Sequence, residues 1–350
     1  MRAFVLRGHG DLSHLAFADV PAPELRRPND VRIKLEAAAL NHLDLWTVRG
    51  LPGLQLEFPH ILGGDGAGVV ESVGSEVTRV RPGDAVMINP GISCYRCEWC
   101  HAGEHSLCVE YKLLGEHLPG TLAEYLVVPE PNVFPIPVPP PPHPAVTFAE
   151  AAAYSLVTLT AWRMLATRAR VRAGETVLIW GVGGGVGSAA LAVAKLLGAH
   201  VIVTSSSDAK LARARELGAD VTLNHGQVDV ATEVRALTDK RGVDVVVDSV
   251  GEATWEQSLR MLGRGGRLVT CGATTGPKVA VEVRRLFWYQ GNILGSTMGS
   301  AEEYREIVRL LGQGHLRPLM DSVTPFADAR RAFERLAAGD QMGKVVVQIG

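Results

Sequence analysis

The 350-residue chain has no excess of positive charge: 35 Lys and Arg stand against 37 Asp and Glu. A dedicated nucleic-acid binder carries a basic stripe or surplus, so nucleic acid is not expected as a partner. No run of 18 uninterrupted apolar residues occurs, which excludes a membrane-spanning helix. The opening Met1–Gly8 has too few apolar residues for a secretory signal, so the expected compartment is the cytoplasm. Cysteine is scarce, with five residues in all, which excludes a disulfide-rich scaffold. No internal repeat of about 20–50 residues is visible, which excludes solenoids and propellers. What the chain does have is 47% hydrophobic and 21% charged residues, the balance of an ordinary globular protein rather than a disordered one. Its length suggests two domains.

The first part of the chain reads as strands and turns. Val31-Arg32-Ile33-Lys34-Leu35-Glu36-Ala37 alternates apolar and polar residues, the pattern of a half-buried strand. Gly66–Gly74 and Asp84–Ile88 continue the β pattern, with Arg81-Pro82-Gly83-Asp84 as a turn. The proline-dense Phe134–Pro144 reads as an extended, solvent-facing connector. At Phe148 the pattern becomes helical. Strands Thr176–Trp180, Val201–Thr204, Val243–Asp248 and Arg267–Cys271 then alternate with helices such as Asp208–Leu217. That alternation predicts a parallel sheet covered by helices on both faces. Ile293-Leu294-Gly295 offers a last strand, followed by a helix Ala301–Leu311 and a C-terminal strand Lys344–Ile349.

Strand Thr176–Trp180 runs into Gly181-Val182-Gly183-Gly184-Gly185-Val186-Gly187 and then into a helix, Ser188–Leu197. Strand, glycine turn and helix together are the setting of a dinucleotide-binding loop. Glycines let the backbone approach a pyrophosphate, and the helix start offers free N–H groups. A strict G-x-G-x-x-G register fails because Val186 takes the last position. A G-x-x-G-x-x-G register through Gly181, Gly184 and Gly187 fits, and Gly185 and Val186 lie within it. Enzymes that prefer NAD place a carboxylate at the tip of the next strand to hold the ribose 2′-hydroxyl. Here the tip is Ser205-Ser206-Ser207, Asp208 reads as the start of a helix, and Lys210 follows. Small hydroxyls beside a cation suit a 2′-phosphate, so NADP(H) is expected in preference to NAD(H). Lys210 reads equally as a solvated helix residue.

Four of the five cysteines, Cys94, Cys97, Cys100 and Cys108, follow C-x2-C-x2-C-x7-C. Thiolates at this spacing can enclose one tetrahedral Zn²⁺ with no open position, so one structural zinc per subunit is expected. His101 and His105 lie inside the segment and read as surface residues. Cys271 reads as a small buried hydrophobe.

The zinc segment ahead of a glycine loop resembles the medium-chain dehydrogenase/reductase superfamily, the zinc-type alcohol dehydrogenases with their quinone oxidoreductase relatives. Gly63-Gly64-Asp65-Gly66-Ala67-Gly68-Val69-Val70, Gly120-Thr121-Leu122-Ala123-Glu124-Tyr125 and Gly343-Lys344-Val345-Val346 support it, and it spans essentially the whole chain. The resemblance implies an α/β protein: a GroES-like β-rich catalytic domain over 1–155, a Rossmann doubly wound domain over 156–293, and a return to the first domain over 294–350. It places the family's catalytic-zinc ligands at Asn41, Gly64 and near Leu156, and the hydroxyl of its proton relay at Leu43; none of these can serve. The structural zinc is thus expected to be kept and the catalytic zinc lost.

Asn41-x-x-Asp44 resembles the metal-free quinone and enone reductase branch. There Asn41 and Asp44 would line the pocket, with Asn41 donating to the substrate oxygen; the same pair also reads as a structural turn. The resemblance assigns His42 and Lys344 to the pyrophosphate, and Thr160, Gly272, Ala273 and Leu294 to the nicotinamide. His117, beside Glu116, reads either as a proton donor or as an ordinary surface or core histidine. The expected activity is NADPH-dependent hydride transfer to a quinone, enone or carbonyl without catalytic zinc, by a homodimer or homotetramer. Two alternatives stand: an alcohol dehydrogenase with an atypical metal site, and a non-catalytic nucleotide-sensing protein.

Overall fold

Alternation sets the first long strand. Along Asp30–Ala39 the side chains of Val31, Ile33 and Leu35 are buried while Lys34 points to solvent. The computed structural model describes residues 1–350, which divide into two units. One is Met1–Leu156 with Gly299–Gly350; the other is Val157–Met298.

The first unit is built on a mixed sheet. Its strands run in the order Val133–Pro135, Ala85–Ile88, Asp65–Val73, Asp30–Ala39, Lys344–Gln348 and Met320–Pro325, with Tyr125–Pro129 also paired to Asp30–Ala39. The C-terminal strand therefore lies beside a strand from the first forty residues, with Val346 opposite Ala39. The helix Ala329–Ala338 buries Ala329, Ala332, Phe333 and Leu336, a stripe at helical spacing. Its Phe333 joins Phe4, Leu6, Leu15 and Leu40 in one core. The helix Ala301–Gly312 starts on a reciprocal cap between Ser300 and Glu303 and buries Tyr304, Ile307 and Leu311.

The second unit is a six-stranded, all-parallel sheet in the order Val221–Asn224, His200–Ser205, Thr176–Ile179, Val243–Asp248, Leu262–Thr270 and Asn292–Gly295. Parallel strands between helices are apolar on both faces. Val177, Leu178, Ile179, Val245 and Val246 are accordingly all fully buried. No helix is long and apolar enough to cross a membrane.

Three expectations shift. Residues 294–298 stay with the parallel unit rather than opening the return, because Leu294 pairs with Val269 inside that sheet. The strand expected at Arg267–Cys271 starts earlier, at Leu262. The proline segment is solvent-facing over Val138 and Pro140–Pro144, as expected, but it is anchored elsewhere: Phe134 and Pro135 pair with Met87 and Val86, and Pro139 is buried.

An ion pair ties the last helix to its strand. Arg335 Nε and Nη2 donate to the two oxygens of Asp321 at 2.8 Å each, and the Met342 N–H donates to Asp321 Oδ1 at 3.0 Å. The Arg335 bonds hold the Asp321 carboxyl down to about 2. Its folded pKa lies below the unfolded value of about 3.9, so the stability it contributes is present above about pH 4 and is lost as pH falls through about 2. The guanidinium is half exposed, which discounts the contribution to about 1–2 kcal/mol. Asp321→Asn should lower the unfolding free energy measured by urea titration by that amount at pH 7, with the gap to wild type closing toward pH 2. A gap that stays constant with pH would refute the assignment.

Candidate active site and metal centre

The glycine loop is shaped by close approach. Gly181 has φ +67°, a conformation that favours glycine, and a Cβ on Gly187 would lie 2.5 Å from the Gly181 carbonyl oxygen. The helix Gly185–Leu196 begins there with Gly184 as its cap residue. The first-turn amides of Gly185, Val186 and Gly187 have no acceptor within the helix and are placed to receive an anion. Thr204 fixes the loop to the next strand: its hydroxyl accepts from Gly181 N–H at 3.2 Å and its carbonyl from Val182 N–H at 2.9 Å.

At the tip of that next strand Ser205 is buried and Ser206 exposed. Ser205 Oγ accepts from Ser207 N–H at 3.1 Å, and Ser207 caps the helix Asp208–Glu216 by accepting from Lys210 N–H. Asp208 stands in the first turn, where the helix dipole favours an acid, and accepts from the Asn224 amide at 2.7 Å. Its helix-opening role is thus visible in its contacts. His225, which the sequence reading passed over, also reaches this corner. Its Nδ1 lies 3.2 Å from Thr204 Oγ1, and burial lowers its pKa. Its one sequence signal is its place just after the strand Val221–Asn224.

The residues assigned to the nicotinamide also belong to this unit, except that the helix Phe148–Trp162, which carries Thr160, begins before it. Gly272 and Ala273 follow the strand Leu262–Thr270, and Leu294 lies in the strand beside it. Thr160 is buried on the helix Phe148–Trp162, with Oγ1 3.7 Å from Met298 Sδ. Glycine loop, serine tip and Gly272-Ala273 all lie beyond the carboxyl ends of the parallel strands, the side on which such sheets bind ligands.

The four cysteines of the first unit converge, with all sulfurs within 4.8 Å of one another. Tetrahedral zinc with bonds of about 2.3 Å needs sulfur separations of about 3.8 Å. Cys97–Cys100 and Cys94–Cys100 are 3.6 and 3.9 Å apart, so the set fits the ion. Backbone N–H groups already point at sulfur: Cys94 and Glu110 donate to Cys108, and Arg96 to Cys94. Those of Cys100 and Val109 bring Cys97 down to about 6, whereas burial pushes Cys100 up to about 12. A coordinated cation deprotonates such thiols outright. His101 is exposed, as expected. His105 is half-buried, and its Nδ1 accepts from Ala301 N–H at 3.3 Å.

Asn41 and Asp44 lie in a buried polar cluster with Asp65 and Lys344, all less than a tenth exposed. Asn41 Nδ2 donates to Asp65 Oδ2 at 2.9 Å, while Lys344 Nζ donates to Asn41 Oδ1 at 2.5 Å and to Asp65 Oδ2 at 2.9 Å. Asp65 Oδ1 accepts from Leu156 N–H at 2.8 Å. Asp44 accepts from Asn41 N–H at 2.7 Å and Gly63 N–H at 2.9 Å, and burial raises its pKa to about 6. Four candidate site residues have partners within the protein. Asn41 and Asp44, taken as catalytic, spend their polar atoms on one another's backbone and on Asp65, Lys344 and Gly63. Lys344, assigned to a pyrophosphate, is turned inward to a carboxylate. His117, the candidate proton donor, accepts the Leu113 N–H on Nδ1 at 3.3 Å. His42 stands at the start of the helix His42–Arg49, where desolvation, then the charges of Arg49 and Lys344, lower its pKa. Asp65, the hub of the cluster, was legible only as part of a glycine motif.

Residues 27–138 match the alcohol dehydrogenase GroES-like domain and residues 185–313 the zinc-binding dehydrogenase family. A zinc-type alcohol dehydrogenase-like protein of Schizosaccharomyces pombe is 32% identical over 93% of each chain. A quinone oxidoreductase of Pseudomonas aeruginosa is 34% identical over 91% of each. The chain belongs to the medium-chain dehydrogenase/reductase superfamily. Among solved structures, one described as an NAD-dependent alcohol dehydrogenase is 45% identical over the whole of both chains, with a TM-score of 0.94. A cobalt- and zinc-bound thermostable alcohol dehydrogenase from Pyrobaculum aerophilum is 35% identical over 100% of this chain and 99% of its own, with a TM-score of 0.89. By this membership the protein is an NAD(P)H-dependent oxidoreductase with a GroES-like domain and a Rossmann domain.

A superfamily member binding a catalytic metal at Asn41, Gly64 and Leu156 would need three donors converging there. A Cβ on Gly64 would meet Leu156 Cδ1 at 3.4 Å, the Leu114 carbonyl oxygen at 3.5 Å and Pro90 Cβ at 3.9 Å. That space is lined mainly by hydrocarbon, and the amide of Asn41 is spent on Asp65. What holds the region is the Lys344–Asp65 pair, at 3% and 0% side-chain exposure. Removing one partner of a buried pair leaves the other uncompensated, at about 3–5 kcal/mol. Lys344→Met should therefore lower unfolding stability by that order. The double variant Lys344→Met/Asp65→Asn should recover a substantial part. A single variant as stable as wild type in thermal unfolding would refute the pair's role.

Proposed function

We propose that the protein reduces a quinone, conjugated enone or related carbonyl by hydride transfer from NADPH, without a catalytic zinc. The observation that carries this reading is the set Asn41, Gly64 and Leu156: a carboxamide committed to Asp65, a bare backbone and a leucine. A Lewis-acid metal polarises a carbonyl by several kcal/mol. A quinone or enone needs less of that help, because its own conjugation spreads the developing negative charge. NADPH, held at the glycine loop, supplies the hydride. The chain's part is to orient: Gly185, Val186 and Gly187 present N–H groups to the pyrophosphate, and Thr160, Gly272, Ala273 and Leu294 frame the nicotinamide. The same reading takes the chain as a cytoplasmic homodimer or homotetramer. Turnover of NADPH with a quinone and enone panel, exceeding that with simple aldehydes, is the expected result. Oxidation of simple primary alcohols that a chelator abolishes and Zn²⁺ restores would overturn it.

The preference for NADP(H) rests on Ser205 and Ser206 at the strand tip, on Lys210 in the adjoining turn, and on Asp208 being tied to Asn224. A charge-assisted bond from Lys210 to a 2′-phosphate, at about 1.5–3 kcal/mol, corresponds to a preference of about ten- to a hundredfold. Lys210→Ala should remove most of it, and calorimetric titration showing NADH bound as tightly as NADPH by wild type would refute it. The 45% identical structure described as an NAD-dependent alcohol dehydrogenase favours a second reading, NAD-dependent alcohol oxidation. Alcohols with NAD⁺ belong in the same panel for that reason.

We also propose one structural Zn²⁺ per chain on Cys94, Cys97, Cys100 and Cys108. It supplies a cross-link whose binding energy becomes local folding energy. Metal analysis should find one tightly bound zinc. Cys97→Ser should lose it and lower the melting temperature, while dinucleotide affinity stays within about threefold, a change of under 1 kcal/mol. Two tightly bound zincs per chain would contradict both the closed site and the missing catalytic one.

A further inference from the structure

Asp248 ends the strand Val243–Asp248, is fully buried, and forms no ion pair. Its carboxylate accepts four hydrogen bonds. Oδ1 takes the N–H groups of Val250 and Gly251 at 2.8 and 3.0 Å; Oδ2 takes the hydroxyls of Thr254 and Ser258 at 2.8 Å each. A buried carboxylate without a counter-ion is costly to keep, so what its charge does is informative. Charge strengthens each bond it accepts, and here those bonds lead to three strand ends.

The first path runs through Ser258. Its Oγ accepts from the indole N–H of Trp180 at 2.8 Å, and Trp180 is the residue immediately before Gly181. The second runs through loop 249–251. Val250 carbonyl accepts from the Thr275 N–H at 2.8 Å and hydroxyl at 2.9 Å, and Ser249 carbonyl accepts from the Thr274 hydroxyl at 3.0 Å. The Glu252 N–H donates to the Gly276 carbonyl at 3.2 Å. Loop 272–276, which begins with Gly272 and Ala273, is therefore laced to loop 249–251, and that loop hangs on Asp248. Gly251 also caps the helix Glu252–Met261, its carbonyl accepting from the Thr254 and Trp255 N–H groups at 3.0 Å each.

We propose that Asp248 is a positioning residue for the nicotinamide half of the bound dinucleotide, fixing loops 249–251 and 272–276 together and linking them through Ser258 and Trp180 to the start of the glycine loop. This rests on reading Gly272 and Ala273 as nicotinamide contacts. Asp248 touches no reacting atom; it acts through the loops it holds.

The test compares two ligands on the full chain by calorimetry. One is the nicotinamide dinucleotide that wild type binds more tightly; the other is its nicotinamide-free counterpart, ADP-ribose or ADP-ribose 2′-phosphate. Asp248→Asn should weaken the dinucleotide by about tenfold, or about 1.4 kcal/mol, and the counterpart by less than about threefold. Ser258→Ala, which deletes one bond to Asp248 and the Trp180 link, should act in the same direction by a smaller factor. Ser258→Ala and Thr254→Val carry the test if Asp248→Asn does not fold. Equal losses for both ligands would reduce Asp248 to a general structural clamp and overturn the proposal, as would unchanged dinucleotide affinity. If wild type itself binds both ligands equally, the nicotinamide contacts at Gly272 and Ala273 fail, and the proposal fails with them for that separate reason.

Discussion

The buried pair of Lys344 and Asp65 holds together parts of the first unit that the chain keeps far apart. Lys344 opens the C-terminal strand, Asp65 opens a strand of the N-terminal sheet, and 279 residues separate them. Neither charge can be solvated where it lies, so each requires the other. Asn41 completes the arrangement by accepting from the ammonium and donating to the carboxylate. The arrangement constrains everything beside it: Asp65 holds the Leu156 amide, Asn41 holds Asp44, and Asp44 holds the Gly63 amide. Strand order in this unit and the occupation of the expected metal position are in that sense one fact.

The parallel unit solves a different problem with local means. Its central strands are uniformly apolar, and the cofactor-facing groups come from the turns at their carboxyl ends. Gly187 permits helix and loop to touch, and Thr204 binds the loop to its neighbour. Asp248 performs the comparable task on the other side of the central strand. The end of one central strand is thus tightened by a backbone contact that glycine alone allows, and the end of its neighbour by an internal carboxylate.

Local features were readable from the sequence and distant ones were not. The glycine loop announced itself because strand, glycines and helix are consecutive, and the cysteine cluster because its ligands fall within fifteen residues. The alternation of Val31, Ile33 and Leu35 gave a strand that the structure extends by only a few residues. The partners of Asn41 were not legible because they lie 24 and 303 residues away, and nothing near it signals them. The pairing of Lys344 with Asp65 was hidden for the same reason. The stretch 294–298 was given to the wrong unit because a four-residue strand carries too little periodicity to show which sheet receives it.

The chemistry follows from counting donors. In the cluster of Asn41, Asp44, Asp65 and Lys344 the ammonium is shared between a carboxylate and an amide oxygen, and the amide donates to the same carboxylate. The two aspartates bring two negative charges against one positive, and Asp44 sheds its charge only below about pH 6. At neutral pH such a group offers a developing alkoxide no net positive field, and two of the three N–H groups of Lys344 are already engaged. A simple aldehyde or ketone, which depends on an external electrophile, is poorly served by these residues. An acceptor whose own conjugation disperses the incoming charge asks only to be held in place. That difference, rather than any recognisable substrate motif, is the physical basis of the proposed preference for quinones and enones over simple carbonyls.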